Sequence, residues 1–202
     1  MPAGCLVLVP LRSFLDPKTR LADVLTLPER ADLARRLAGD VLDALDGWDV
    51  AVLTDDDDVI EWADRRHVTV ARPGVAGLNA AVTAGTELAV DRSADTIAVV
   101  HADLAMPDAL PDVLAAATAP DRADGVTAVP DRHGDGTNVL VVPAGAGFRF
   151  GYGPGSFSRH RDEAARLGLA FVEVTHAELA WDVDTPGDLS AYLALGDPTR
   201  GG

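Results

Sequence analysis

Four stretches of this chain carry residue types that do chemistry together, and all of them suit anions or hard cations. The first is Val9-Pro10-Leu11-Arg12-Ser13-Phe14-Leu15-Asp16-Pro17-Lys18-Thr19-Arg20-Leu21, with three cations and two hydroxyls in one irregular loop between a short apolar strand and a helix. Lys18 is the only lysine among the seventeen Lys and Arg side chains. Open α/β sheets bind ligands in loops at the C-terminal ends of their strands, and a loop with Arg12, Lys18 and Arg20 suits a triphosphate. A solvated basic turn is the competing account. The second stretch is His101-Ala102-Asp103, which ends the β-rich run Thr96 to Val100. A carboxylate at that edge faces the ligand crevice and is a natural Mg²⁺ ligand, or else a turn former or helix cap.

The third stretch is Asp182-Val183-Asp184-Thr185-Pro186. Residues two apart in an extended segment point the same way, so Asp182 and Asp184 converge while Val183 turns into the core. Thr185 as N-cap, Pro186 at the first helical position and Asp188 at the third account for the rest, and both readings can hold together. A metal between Asp103 and this pair could bridge phosphate oxygens. The fourth is Gly151-Tyr152-Gly153-Pro154-Gly155-Ser156, running into a helix with Arg159, His160 and Arg161. Its glycines let backbone approach a ligand, and the helix start offers free N–H groups to an anion, with Ser156 as an N-cap the simpler alternative. Together with Arg149 the arginines point to a small phosphorylated acid. Thr137, in the tight turn Gly134-Asp135-Gly136-Thr137-Asn138, could donate to the same anion or simply serve the turn. Gly77-Leu78-Asn79 opens a helix and could touch a ribose or base.

The elements that must position these groups alternate β with α. Strands are expected at Leu6 to Val9, Val50 to Thr54, Val68 to Ala71, Thr96 to Val100, Val126 to Val129, Asn138 to Val142 and Phe171 to Val174. Helices are expected at Pro28 to Leu45, Val59 to Arg66, Gly77 to Val90, Pro107 to Ala117, Ser156 to Leu167 and Pro186 to Leu195. The pattern predicts one three-layer α/β/α domain over all 202 residues, with a mostly parallel, Rossmann-like sheet and a late antiparallel addition. The run Asp55 to Asp58 reads as a solvated turn and helix N-terminus rather than a metal site.

The net charge of −15 argues against extended nucleic acid as a partner. No apolar run approaches the roughly 18 residues of a membrane span, and no signal peptide is apparent, so the cytoplasm is expected. The single cysteine, Cys5, excludes an internal disulfide and reads as a small buried hydrophobe. His67, His133 and His176 have no partner at metal-ligand spacing. The dinucleotide motif Gly-x-Gly-x-x-Gly, a Walker loop and Gly-x-Ser-x-Gly are all missing.

Taken in order, these segments resemble the guanylyltransferases of coenzyme F-420 biosynthesis, in the MobA-like nucleotidyltransferase superfamily. The resemblance runs from about Leu6 to Leu189. It rests on Val9-Pro10-Leu11-Arg12 with Lys18-Thr19-Arg20-Leu21-Ala22, on Gly77-Leu78-Asn79, Ala102-Asp103-Leu104 and Gly136-Thr137-Asn138, on Phe150 to Arg161, and on Asp182-Val183-Asp184-Thr185-Pro186. It implies a nucleotide-diphospho-sugar-transferase-like fold and transfer of GMP from GTP to a three-carbon phosphorylated acid, phosphoenolpyruvate favoured or 2-phospho-L-lactate, with release of pyrophosphate. It further implies that Thr137, Gly153 and Ser156 hold the acid and that Asp103, Asp182 and Asp184 organise Mg²⁺. Arg12 and Lys18 would face the triphosphate, with Asp103 completing the catalytic set. Arg20, Leu78 and Asn79 would attend the nucleotide. The chain departs from the family in carrying Arg12 for lysine, and His101 and Ala105 for a small residue and a proline. Expected partners are GTP and the acid, with neither nucleic acid nor membrane, and a homodimer is admissible. The alternatives are another MobA-like nucleotidyltransferase and a non-catalytic GTP-binding module.

Overall fold

The computed structural model describes residues 4–194. Among these residues the β-rich runs become β1 (Cys5–Pro10), β2 (Asp49–Leu53), β3 (Thr69–Ala71), β4 (Thr96–Val100), β5 (Val126–Pro130), β6 (Thr137–Pro143) and β7 (Phe171–Glu173). They form one seven-stranded sheet in the order β3-β2-β1-β4-β6-β5-β7. β1 runs parallel to both β2 and β4, and β2 parallel to β3. β6 is antiparallel to both its neighbours, while β5 and β7 are parallel to each other. The late antiparallel addition is therefore a single reversed strand, β6, inserted between β4 and β5. All five residues of β4 are buried, which explains its nearly uninterrupted β-rich run.

Side chains alternate along the strands and so build two cores. Val7, Val9, Val52, Ala98 and Val100 face α1 (Leu27–Ala44), α2 (Asp57–Arg65) and α4 (Leu110–Ala117). Leu6, Leu8, Leu53, Ile97 and Val99 face α3 (Leu78–Asp91) and α5 (Ser156–Leu167) on the other side. The last helix, α6 (Pro186–Ala194), packs Leu189 and Tyr192 against Leu21, Leu33, Leu37 and Val183. This is the expected three-layer architecture. From β1 the chain crosses to β2 on one side, whereas β4 lies on the other side of β1. Loops leaving β1 and β4 diverge at this switch point, and a crevice opens at the C-terminal edge of the sheet.

Helix boundaries follow local chemistry. The Thr26 hydroxyl accepts from Glu29 N–H, and Glu29 in turn accepts from Thr26 N–H, so a capping box starts α1 with Pro28 in its first turn. Asp56 accepts from Val59 N–H and caps α2, with Asp57 and Asp58 in the first turn, as expected for the aspartate run. α4 departs from expectation. It starts at Leu110 rather than Pro107, because Pro107 closes a preceding turn through Leu110 N–H to its carbonyl, 2.8 Å. Leu195, expected to end the last helix, lies outside the described residues. Cys5 is a buried free thiol. Among the described residues no helix is long and apolar enough to cross a membrane.

Gly85 lets α3 settle close to the sheet. A Cβ at this position would lie 3.0 Å from the Leu53 methyls and 3.1 Å from Leu8 Cδ1. Gly85→Val is expected to destabilise the fold by about 1–3 kcal/mol through overpacking. An unchanged urea midpoint would show that the helix can move away at no cost.

Candidate active site

Lys18 reaches the site through an unusual backbone. It adopts the left-handed conformation, φ 49° and ψ 51°, immediately before a 3-10 turn at Thr19–Leu21. Such geometry is uncommon outside glycine and persists only where neighbours over-determine it. Those neighbours are visible. The nearly buried Arg30 of α1 donates through NH1 to Asp16 Oδ1 at 2.7 Å and to the Pro17 carbonyl at 2.6 Å. Leu21 is fully buried among Leu33, Leu37 and Val183. Ser13 donates to Asp56 Oδ2 at 2.7 Å, fastening the earlier half of the loop to α2. Lys18 Nζ then lies 2.8 Å from Asp103 Oδ2 and 3.3 Å from Asp184 Oδ1, with its side chain 7% exposed. Burial opposes the ammonium charge, but the two carboxylates outweigh it and hold the pKa above its ordinary value.

Asp103 and the Asp182–Asp184 pair are brought together by backbone. Leu104 and Asp182 form an isolated antiparallel bridge. Ala105 N–H donates to the Trp181 carbonyl at 2.8 Å and Val183 N–H to the Asp103 carbonyl at 3.1 Å. Val183 is fully buried, as expected for the residue between two outward carboxylates. Asp103, Asp182 and Asp184 each offer an oxygen within 4.8 Å of the other two. Burial and the negative charges of Asp103 and Asp184 raise the Asp182 pKa. For Asp103, burial works upward, yet the charge of Lys18 draws the pKa below the usual carboxylate value. Three crowded hard oxygens, only partly neutralised by Lys18, fit a divalent cation such as Mg²⁺ or Mn²⁺. The capping account also holds. Thr185 donates to Asp188 Oδ2 through N–H at 2.7 Å and Oγ1 at 2.8 Å, while Asp188 N–H returns to Thr185 Oγ1 at 3.3 Å. Asp184 N–H also donates to Asp188 Oδ2, at 3.2 Å.

The Gly-rich segment is organised differently from expectation. Gly155, left-handed at φ 73°, is the N-cap of α5, and Ser156 is the first helical residue. The Ser156 hydroxyl donates to Thr137 Oγ1 at 3.2 Å instead of capping. Three N–H groups at the helix start, expected to be free, are engaged. Gly155 donates to Asp135 Oδ2 at 2.8 Å, Ser156 to the Gly153 carbonyl at 3.0 Å, and Phe157 to the Asp135 carbonyl at 3.0 Å. The β5–β6 turn thus caps the helix, because buried donors must find acceptors. The arginine cluster does not converge on an anion either. Arg159 donates to the carbonyls of Gly151 (2.9 Å), Pro154 (2.5 Å) and Gly153 (3.1 Å), the last of which also accepts from Ser156 N–H. Arg149 lies beside Glu163, its Nε 3.8 Å from Oε1, and Arg161 is exposed on the helix. His160 is fully buried, with Nδ1 3.0 Å from Thr137 Oγ1 and Nε2 accepting from Gly151 N–H at 3.0 Å.

Three crevices meet at the sheet edge. The first, about 680 Å³, is lined by Arg12, Lys18, Asp103 and Asp184 together with Leu78 and His101. The second, about 380 Å³, is lined by Thr137, Gly153, Ser156, Arg20, Asp182 and Arg132, and it shares Leu78, His101 and Asp184 with the first. The third, about 560 Å³, shares Arg12 and Leu78 and extends over Leu53, Thr54 and Val75. Asn79 lines none of them. Its amide is engaged with the Tyr152 backbone, accepting N–H at 2.6 Å and donating to the carbonyl at 3.3 Å. Arg12 is exposed and forms no ion pair among the described residues. Arg30, Arg132, Asp135 and the role of His160 escaped sequence reasoning. Arg132 pairs with Asp188 from a segment that reads only as a turn.

Residues 5–201 match the family model described as guanylyl transferase CofC like. The chain is 36% identical over 189 residues to a phosphoenolpyruvate guanylyltransferase of Sphaerobacter thermophilus, covering 91% of this chain and 90% of the relative. It is 38% identical over 203 residues to a 2-phospho-L-lactate guanylyltransferase of Natrialba magadii, covering 91% and 81%. The chain belongs to the CofC-like guanylyl transferase family. A structure from Desulfovibrio desulfuricans G20 described as a nucleotide-diphospho-sugar transferase shares the fold at TM-score 0.76 and 19% identity, covering 97% of this chain and 89% of that one. So does glucosyl-3-phosphoglycerate synthase of Mycobacterium tuberculosis in complex with Mn²⁺, uridine diphosphate and glucosyl-3-phosphoglycerate, at TM-score 0.57 and 15% identity over 85% and 69%.

Burial, with Arg159 nearby, lowers the His160 pKa to about 4. Unfolded histidine titrates near 6.5, so above that pH both states are neutral and His160 adds no pH dependence. As pH falls from about 6.5 to about 4 the unfolded chain takes the proton first, and the folded state loses roughly 3 kcal/mol. In urea titrations the wild-type midpoint is expected to fall across this window more steeply than that of His160→Leu. Parallel pH profiles would contradict a buried neutral imidazole.

Proposed function

We propose that this guanylyl transferase joins GMP from GTP to a three-carbon phosphorylated acid, with phosphoenolpyruvate favoured over 2-phospho-L-lactate, in cytoplasmic coenzyme F-420 biosynthesis. The observation that carries this reading is the junction of two crevices at Leu78, His101 and Asp184, where Asp184 pairs with Lys18 and Lys18 with Asp103. Two polyanions need separate pockets whose reacting ends meet at charge that can neutralise them.

In this reading GTP lies along the loop after β1, and the acid occupies the crevice of Thr137, Gly153 and Ser156. Lys18 carries three N–H donors; two address Asp103 and Asp184, which leaves one for a phosphate oxygen. Arg12, without an ionic partner among the described residues, supplies a second positive charge above the triphosphate. An oxygen of the acid's phosphate forms a bond to the α-phosphorus. The bridging bond from that phosphorus to the β-phosphate oxygen breaks, and pyrophosphate leaves with the electron pair. The second pKa of a phosphate monoester is about 6, so the attacking group is already an anion and needs no strong base. Catalysis then consists of positioning and electrostatic stabilisation. A Mg²⁺ held by Asp103, Asp182 and Asp184 would supply Lewis-acid charge neutralisation, and the Mn²⁺ complex of the structural neighbour supports a divalent ion in this fold.

Pyrophosphate release with GTP is expected to be fastest with phosphoenolpyruvate, slower with 2-phospho-L-lactate and 3-phosphoglycerate, and to require a divalent cation. Mass detection of the GMP-capped acid identifies the product. GTP binding without pyrophosphate release for any of the three acids would leave only a binding module. Asp103→Asn is expected to lower kcat on the order of a hundredfold or more with a far smaller effect on the thermal midpoint. Wild-type turnover in that variant would remove Asp103 from the catalytic set.

A further inference from the structure

His160 sits behind the crevice rather than in it, yet its two nitrogens determine how Thr137 presents itself. Nε2 lies 3.0 Å from Gly151 N and accepts that N–H. A neutral imidazole accepts at one nitrogen and donates at the other, so the proton resides on Nδ1. The opposite tautomer would set two donors against each other at 3.0 Å. Nδ1 lies 3.0 Å from Thr137 Oγ1 and therefore donates to it. Ser156 Oγ donates to the same oxygen at 3.2 Å. A hydroxyl oxygen has two acceptor sites and one hydrogen. With both acceptor sites filled by His160 and Ser156, Thr137 keeps its hydrogen for a partner of its own. Thr137 itself is nearly buried but lines the second crevice.

Resting on the reading of that crevice as the acceptor pocket, we propose that His160 is a positioning residue whose fixed Nδ1–H tautomer commits the Thr137 hydroxyl to donate to an anionic oxygen of the acid. The anchor for the tautomer is local. Arg159 gathers the carbonyls of Gly151, Gly153 and Pro154, and this turn aims Gly151 N–H at the imidazole. The aromatic rings of Phe148 and Tyr152, 5.9 and 4.8 Å from the imidazole centroid, wall the ring off from water. A hydroxyl free to rotate could point its hydrogen at Ser156 Oγ, 3.2 Å away, instead of into the pocket. The His160 relay removes that choice before the acid arrives, so less ordering is left for the binding step.

Steady-state pyrophosphate-release kinetics with GTP and phosphoenolpyruvate test this. His160→Leu is expected to raise KM for the acid about ten- to hundredfold, the loss of one hydrogen bond to a charged group, with KM for GTP nearly unchanged. His160→Asn, whose amide nitrogen stands near the position of Nδ1, is expected to recover most of that loss. Equal defects in both variants, or KM values that rise together for both substrates, would overturn the assignment and leave His160 as core packing. Thr137→Val separates the two levels of the argument. If it raises KM for the acid while His160→Leu does not, the relay is wrong and the pocket stands; if it changes nothing, both fall. Long-range ¹H–¹⁵N spectra of the wild-type protein, assigned by the signals missing in His160→Asn, should report the Nδ1–H tautomer. An Nε2–H tautomer would refute the relay even if His160→Leu fails to fold.

Discussion

The ammonium of Lys18, buried between Asp103 and Asp184, is the interaction around which the molecule is arranged. A buried charge is tolerable only when paired, and here the pairing draws on three distant parts of the chain. The loop after β1 supplies the cation, the segment after β4 one carboxylate, and the segment entering α6 the other. Removing the cation would leave Asp103, Asp182 and Asp184 crowded together in a chain of net charge −15. The strained backbone at Lys18 makes physical sense in this light. Only the left-handed turn, clamped from α1 by Arg30, carries the side chain inward rather than along the surface.

The two halves of the site meet their polar obligations by different means. Around the carboxylates, charge balances charge, and the excess negative potential leaves room for a divalent ion. Around Thr137 and Ser156, hydrogen bonds are closed by neutral groups: a buried imidazole, a hydroxyl pair and the carbonyls of a glycine-rich turn. Arg159 and Arg149 belong to this second accounting, since carbonyls in tight turns and the carboxylate of Glu163 claim them. Hydrogen bonds from Arg166 and then the backbone of Arg149 hold Glu163 down to about 2, so it remains charged. Arg149 and Arg159, close in sequence to the glycine-rich segment, thus serve its shape.

Much of this was legible in the chain because the signals are local. The apolar period distinguishes strands from helices, and β4 reads as central because burial on both faces favours a nearly uninterrupted β-rich run. The Thr185–Asp188 cap and the alternation across Val183 follow from spacing alone. Lys18 stands out as the one lysine, and Asp103 as the acid just after the central strand. The boundary errors were local as well: Pro107 closes a turn before α4 instead of opening the helix.

Sequence by itself determined the strand and helix order and the supply of acidic and hydroxyl side chains at the strand ends, since each depends on residue type and on periods of two or 3.6. Only tertiary structure decided what each polar group faces. The Leu104–Asp182 bridge, the capping of α5 by Asp135, the engagement of Asn79 with Tyr152 and the tautomer of His160 all join residues far apart in the chain. Hydrogen bonds and ion pairs act over a few ångströms, so the direction of a donor is settled by packed neighbours that no local pattern records.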